Sequence, residues 1–256
     1  MKRLLAAKTL FMALLIFTAC GGNGYEYEYL GELPPSTGRI FMFGENHGCP
    51  RTMQRQLEIW GSFYHDHGMR HLFIEMPYFT GQLLNRWMQA EDDDIIYQLF
   101  EDWHGSYAGM QYTLEFYKAV KHYFPETVFH GSDVGHQSYS SGLRYLQLLR
   151  DEGLQYTDSY NFALENIVQF HRLMLTGCHS VRAYYKPQNF ARHFDRLQGE
   201  NVMAIHEMRH VAIGYDFMGL GVPSMGTTLH ERYGDQLEVT LMTIPFLMMP
   251  LREFIP

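Results

Sequence analysis

The chain of 256 residues is poor in cysteine, with three, at positions 20, 49 and 178. That excludes a disulfide-stapled scaffold. It leaves Cys49 and Cys178 in the body of the chain, and spacing alone does not say whether they pair. There is no long basic run after Lys8. The formal net charge is −8, and it falls to near −11 once Lys2, Arg3 and Lys8 are set aside. A groove for nucleic acid needs a basic stripe, so that class of partner is excluded. No Gly-x-Ser-x-Gly elbow occurs, which disfavours a serine esterase. Internal repeats and low-complexity segments are absent as well. The N-terminal apolar run from Thr9 to Phe17 is too short to span a bilayer as a stable helix.

What is present is globular. Hydrophobic residues make up 46% and charged residues 19%, and the length suits one α/β domain with a sizeable core. Aromatic residues reach 15%, enough for a thick core or an aromatic-lined pocket. At the N-terminus a positive stretch, MKRLLAAK, precedes the apolar run. Phe17-Thr18-Ala19-Cys20 follows, and then Gly21-Gly22-Asn23-Gly24. This arrangement resembles a bacterial lipoprotein signal. It implies cleavage before Cys20, lipid on Cys20, and an extracytoplasmic, membrane-anchored protein. An ordinary secretory signal or a membrane anchor is the plainer alternative. The expected organisation is a signal over 1–20, a tether over 21–37 and a single domain over 38–256.

Along that domain, short apolar runs alternate with helical periodicity. Strands are expected at Arg39–Phe43, His71–Glu75, Thr127–His130, Asn201–Ile205 and Leu237–Ile244. Met53, Leu57, Trp60 and Tyr64 recur on one helical face over Pro50–His67, giving a strand–helix–strand unit of parallel type. Further helices are expected at Gly81–Trp103 (broken by Glu91–Asp94), Gln111–Phe124, Ser138–Glu152, Asp158–Thr176, Pro187–Leu197 and Gly226–Tyr233. In the fourth of these Asp158 is the expected N-cap, and Ala163, Ile167, Phe170 and Met174 the buried stripe. The fold class is α/β, a mostly parallel central sheet flanked by helices in three layers, with a helical insertion.

The first four strands all run into ionisable residues: Glu45 and His47, Glu75, Asp133, then His206 with His210 beyond it. Parallel strands bring such groups to one rim, where open α/β sheets bind ligands. A lone strand-end Glu is usually a solvated edge residue and a lone His a satisfied core group, but four strand ends together point to chemistry. A histidine poised near neutral pH deprotonates water. A neighbouring carboxylate fixes its tautomer, and a second imidazole can face a developing oxyanion. His47, between two glycines, is the expected general base. Glu75 is the favoured orienting carboxylate, Glu45 shares that task or positions the water, and His206 or His210 faces the oxyanion. Arg51 and Asp133 are the expected substrate-binding residues.

Gly44-Glu45-Asn46-His47-Gly48 resembles the Gly-Glu-x-x-His-Gly motif of the erythromycin esterase-like family. Its spacing is one residue shorter, closer to the haem-uptake and Tiki-type relatives. Leu72–Glu75 resembles the second family strand, and Gly131-Ser132-Asp133 its Gly-x-Asp segment. Val202–Val211 resembles its histidine-pair strand, with three residues rather than two between His206 and His210. Ser224–Leu229 with Tyr233-Gly234-Asp235 resembles its closing block. The matches run in family order from Arg39 to about Ile244. The resemblance implies an α/β hydrolase acting on a small-molecule ester or lactone, with His47 as base and with Glu45, Glu75 and one later histidine in the site. It requires no cofactor. A divalent metal is compatible, its shell then being Glu45, His47, His206 and His210. The chain is shorter than the macrolide-opening members.

Two other readings compete. His206-Glu207-Met208-Arg209-His210 is His-Glu-x-x-His, and on one helix it would bind zinc with Glu207 as base. The third metzincin histidine is missing, and Glu231 or Glu238 would have to serve as third ligand. Alternatively, 14 histidines and the haem-uptake resemblance fit a lipoprotein that binds haem or another ligand without catalysis, in a cleft near Tyr64, Met76 and Tyr78. Substrate identity and oligomeric state are not written in the sequence.

Overall fold

The computed structural model describes residues 33–216, 219 and 221–243. The expected signal, Cys20 and most of the tether lie outside the described residues, as does Ile244 at the end of the last expected strand. Five strands, β1 (Ile40–Glu45), β2 (His71–Pro77), β3 (Val128–Asp133), β4 (Val202–Glu207) and β5 (Leu237–Leu241), form one sheet in the order β3-β2-β4-β1-β5. Every pairing is parallel.

Strand side chains alternate between two cores, as the two-residue period of a strand requires. Phe41, Phe43, Leu72, Ile74, Met203 and Ile205 enter the larger one. There they meet helices α1 (Pro50–Asp66), α2 (Tyr78–Gln89), α3 (Asp94–Asp102) and α4 (Gln111–Tyr123). Parts of α5 (Leu143–Asp151) and α6 (Asp158–Thr176) join the same core. Ile40, Met42, Phe73, Val202 and Ala204 face the opposite core, with α7 (His179–Phe194) and α9 (Met225–Tyr233). A four-residue helix, α8 (Met208–Val211), follows β4. The result is the expected three-layer α/β arrangement with all strands parallel.

Chain direction places the site. After β1 the chain passes to the larger core and returns as β2; after β4 it passes to the other core and returns as β5. Since β1 and β4 are neighbours, the connections part over their carboxyl ends, which opens the crevice in which such sheets bind ligands. Gly44 sits at this point. A Cβ there would lie 2.5 Å from Val211 and 3.0 Å from the Met208 backbone, so its absence lets α8 fold back over β1. On the edge strand β3, Asn85 of α2 accepts from Phe129 N at 2.7 Å and donates to Phe129 O at 2.9 Å, so part of the open edge is covered.

Several local expectations are corrected. Helix α7 starts at His179, eight residues before the expected Pro187, which instead lies buried inside it. Proline inside a helix costs about 3 kcal/mol. Here the helix is held by Phe190, Ala191 and Phe194 in the core and by Arg182 and Lys186, which both donate to Glu75. In α6, Thr157 rather than Asp158 is the N-cap, and Met174 is 65% exposed. The inward face carries Asn166 and Gln169 as well as Ala163, Ile167 and Leu173, because those amides bond across the core: Asn166 Oδ1 accepts from Tyr78 N, and Gln169 pairs with Asn189. Residues 138–142 form a π-type turn before α5. His206 and Glu207 end β4 and only Met208, Arg209 and His210 enter α8. The single helix required by the zinc-peptidase reading is therefore not formed. Among the described residues no helix is long and apolar enough to cross a membrane.

Candidate active site at the carboxyl edge of the sheet

Register sets the floor. Gly44 lies beside His206 and Glu45 beside Glu207 across β1 and β4. Ile74 pairs with both Ile205 and Gly131. Beyond Ile74 the β2–β3 register slips, so that Pro77 rather than Met76 meets Asp133. Such a bulge re-aims side chains, and the two residues inside it are Glu75 and Met76.

Glu75 is the hub. Its Oε1 accepts from Lys186 Nζ at 2.7 Å and from Arg182 Nη2 at 2.7 Å, and its Oε2 accepts from Glu207 N at 2.5 Å. His210 Nε2 stands 3.4 Å from Oε1. Burial alone would raise the Glu75 pKa, but the charges of Lys186 and Arg182 reverse that and hold the carboxyl well below the usual carboxylate range. Asp133 is matched in the same way. Arg182 donates from Nε to Oδ1 at 3.0 Å and from Nη2 to Oδ2 at 2.5 Å. Burial opposes ionisation of Asp133, and Arg182 and Lys186 restore it. Asn166 Nδ2 and Asn189 Nδ2 both donate to Asp133 O. Burial lowers the pKa of Lys186, whose side chain is wholly enclosed, while Glu75 and Asp133 oppose the shift.

The second element is a dyad. Glu45 Oε1 lies 2.5 Å from His47 Nδ1, which fixes the tautomer with Nε2 as the outward nitrogen. The ring stacks on Tyr107 with centroids 5.9 Å apart. Its pKa is raised above 6.5, first by the Glu45 hydrogen bond, with burial working against it and the charges of Glu75, Glu45 and Glu207 adding to it. His47 is the most exposed of these groups, with a side chain 40% accessible.

A cleft of about 370 Å³ joins the two elements, within the roughly 300–1,000 Å³ typical of small-molecule sites. Glu45, His47, Glu75, Asp133, His136 and Arg182 supply its polar lining, and Tyr107, Tyr112, Phe116 and Tyr117 an aromatic wall. Gln56 also lines it, and its Nε2, buried, has no hydrogen-bond partner among the described residues.

The sequence-derived residues divide. Glu45, His47, Glu75 and Asp133 reach the cleft. His206 does not: it is fully buried, its Nε2 lies 2.8 Å from Ser132 Oγ, and burial followed by Lys186 holds its pKa at about 3. His210 is buried beside Glu75, and burial brings its pKa down to about 2. Both are neutral rings behind the floor, not groups facing an oxyanion. Glu75, the favoured orienting carboxylate, is committed to Arg182, Lys186 and Glu207 N, and Glu45 holds that position. Arg51 lies exposed in the first turn of α1, away from the cleft lining. The four residues of the expected metal shell do not converge, and no group of three or more His, Cys, Asp or Glu among the described residues is disposed to hold a metal ion. Tyr64 and Tyr78 are core residues bonded to Glu126 and Ser159, so of the expected haem-lining residues only Met76 reaches the cleft. Cys49 and Cys178 are separate thiols.

Arg182 and Lys186 are the residues that sequence reasoning missed. Their signal is present, since Val181, Arg182, Lys186 and Phe190 are spaced for one α-helix, but Pro187 favours a helix start and masks it.

Comparison with known proteins gives the fold and no more. No family model and no curated protein matches the chain. Two solved Bacillus cereus proteins are similar in structure. One, with no functional name, is 12% identical with a TM-score of 0.52, covering 80% of this chain and 66% of its own. The other, called a succinoglycan biosynthesis protein, is 14% identical with a TM-score of 0.56, covering 79% and 65%. The chain thus matches about two thirds of the length of each.

Proposed function

We propose that this protein is a hydrolase of the erythromycin esterase-like type, cleaving an ester or lactone by attack of water. The observation that carries the reading is the Glu45–His47 pair at 2.5 Å in an aromatic-walled cleft. With Nδ1 held by Glu45, the neutral ring presents Nε2 as acceptor. A water hydrogen-bonded there loses its proton to Nε2 as its oxygen attacks the carbonyl carbon. Glu45 stabilises the imidazolium, which then returns the proton to the leaving alkoxide. The Glu75–Arg182–Asp133–Lys186 network fixes the floor. The reading is tested with an ester and lactone panel. His47→Gln should lower turnover roughly 100- to 10,000-fold with an unchanged melting temperature. Wild-type turnover by that variant removes His47 from the mechanism.

The N-terminal residues support a second proposal, about location: lipid on Cys20 and an extracytoplasmic site on the membrane. Cys20→Ala should release the protein from the membrane fraction or leave it unprocessed. Unchanged fractionation and mass would refute lipidation.

A further inference from the structure

Arg182 has an uncommitted hand. Its Nε and Nη2 are taken by Asp133 and Glu75, whereas Nη1 makes no hydrogen bond among the described residues. The side chain is 23% exposed and lines the cleft that holds His47. The guanidinium cannot swing away, because Asp133 is itself held by its own backbone contacts to Asn166 and Asn189 and accepts from Val134 N. A planar, pre-oriented guanidinium with Nη1 still open can meet one oxygen of a carboxylate.

The surrounding charge permits it. Glu75 and Asp133 are offset by Lys186 and Arg182, Glu207 is paired with Arg209, and Glu45, the further carboxylate of the cleft lining, is engaged by His47 Nδ1. Beside Arg182 the wall continues into His136 and Gln137. Gln137 is left-handed, φ 58°, one of two non-glycine residues with positive φ among those described. That conformation is uncommon off glycine and clusters at ligand sites. It is fixed here by Ser140 N and Gly142 N donating to Gln137 O. Across the cleft stand Tyr107, Tyr112 and Phe116, which suit an apolar or ring portion.

We propose that Arg182 Nη1, flanked by the His136–Gln137 turn, is a carboxylate-binding subsite, and that the ester or lactone cleaved here carries a free carboxylate. The substrate clause rests on the hydrolase reading; the binding clause does not.

Two measurements separate them. In calorimetry, glutarate should bind the wild-type protein roughly 10- to 100-fold more tightly than glutaramide, the size of one charge-assisted hydrogen bond. Arg182→Gln should abolish the difference, Arg182→Lys should retain part of it, and the remote surface variant Arg150→Gln should leave it unchanged. If Arg182→Gln fails to fold, the wild-type comparison still decides: equal binding of glutarate and glutaramide overturns the subsite. In turnover, mono-4-nitrophenyl glutarate should show a KM at least about 10-fold below that of 4-nitrophenyl pentanoate, and Arg182→Gln should remove that difference, raising the former KM more than the latter. A fall in kcat of the same size on both esters would make Arg182 part of the reaction machinery and refute the carboxylate assignment. Glutarate binding at Arg182 without turnover of any ester refutes the hydrolase reading and leaves the subsite standing. Turnover of neutral esters without glutarate binding does the reverse.

Discussion

Replacing Glu75 by glutamine takes away the charge that keeps Lys186 ionised inside the protein. The lysine side chain is 0% exposed, its ammonium is 2.7 Å from Glu75 Oε1, and no other hydrogen-bond acceptor of its ammonium is seen among the described residues. Removing one partner of a buried pair costs about 3–5 kcal/mol, since the other is left desolvated and uncompensated. Arg182 keeps Asp133 and adds little to the loss. For a chain of this size that corresponds to a fall in melting temperature of roughly 6–20 °C. Lys186→Met should cost less, because Glu75 retains Arg182 and Glu207 N. The double variant should recover much of the Glu75→Gln loss, as apolar replacement of both partners generally does. Urea unfolding of the four proteins gives the coupling energy directly. The pH dependence has a defined sign. The folded-state pKa of Glu75 lies below its ordinary 4.5, so its contribution is complete above that value and is lost as pH falls toward the folded pKa. The gap between wild type and Glu75→Gln should therefore close in acid. Additive single variants, or a Glu75→Gln cost under about 1 kcal/mol, would refute this account of the floor.

Other expectations concern the scaffold. Gly131→Ala would drive a Cβ into Pro77 O and should cost at least the upper end of the roughly 1–3 kcal/mol seen for overpacking, read by thermal unfolding. Asn85→Ala removes both side-chain bonds to the Phe129 backbone and should cost about 1–3 kcal/mol. Urea unfolding checks it, and a loss under a few tenths of a kcal/mol would mean the edge is otherwise satisfied. Alkylation of the unfolded, unreduced protein should modify both Cys49 and Cys178; protection of the two together would show a disulfide.

The sheet was readable in the sequence because parallel buried strands are short apolar runs, and each ends where a charged residue needs the rim. Glu45, His47, Glu75 and Asp133 were found on that basis. What the sequence did not yield follows from long-range packing. The slip between Ile74 and Pro77 decides where Glu75 points, and it arises from pairing with β3. Lys186 reads as a surface residue until Glu75, 111 positions away, is placed against it. Pro187 usually marks a helix start, and here tertiary contacts outweigh that local preference. His206 and His210 sit at helical spacing, yet β4 carries its pairing with β1 as far as Glu207 and separates them. Apolar periodicity places α6 at its observed bounds with Ala163 and Ile167 inward, but it puts Met174 inside and misses the amides of Asn166 and Gln169 on that face.

The most direct test of the Glu45–His47 base is the pH dependence of kcat/KM in wild type and in Glu45→Gln. The protonated ring cannot accept a proton, so the rate should rise with pH through the pKa of His47 and level off above it. That pKa should lie above 6.5 in the wild type, because the Glu45 hydrogen bond is its largest raising influence. In Glu45→Gln the rising limb should move to lower pH, and the plateau should fall as the imidazolium loses its partner. A limb that stays in place when Glu45 is replaced would contradict the account.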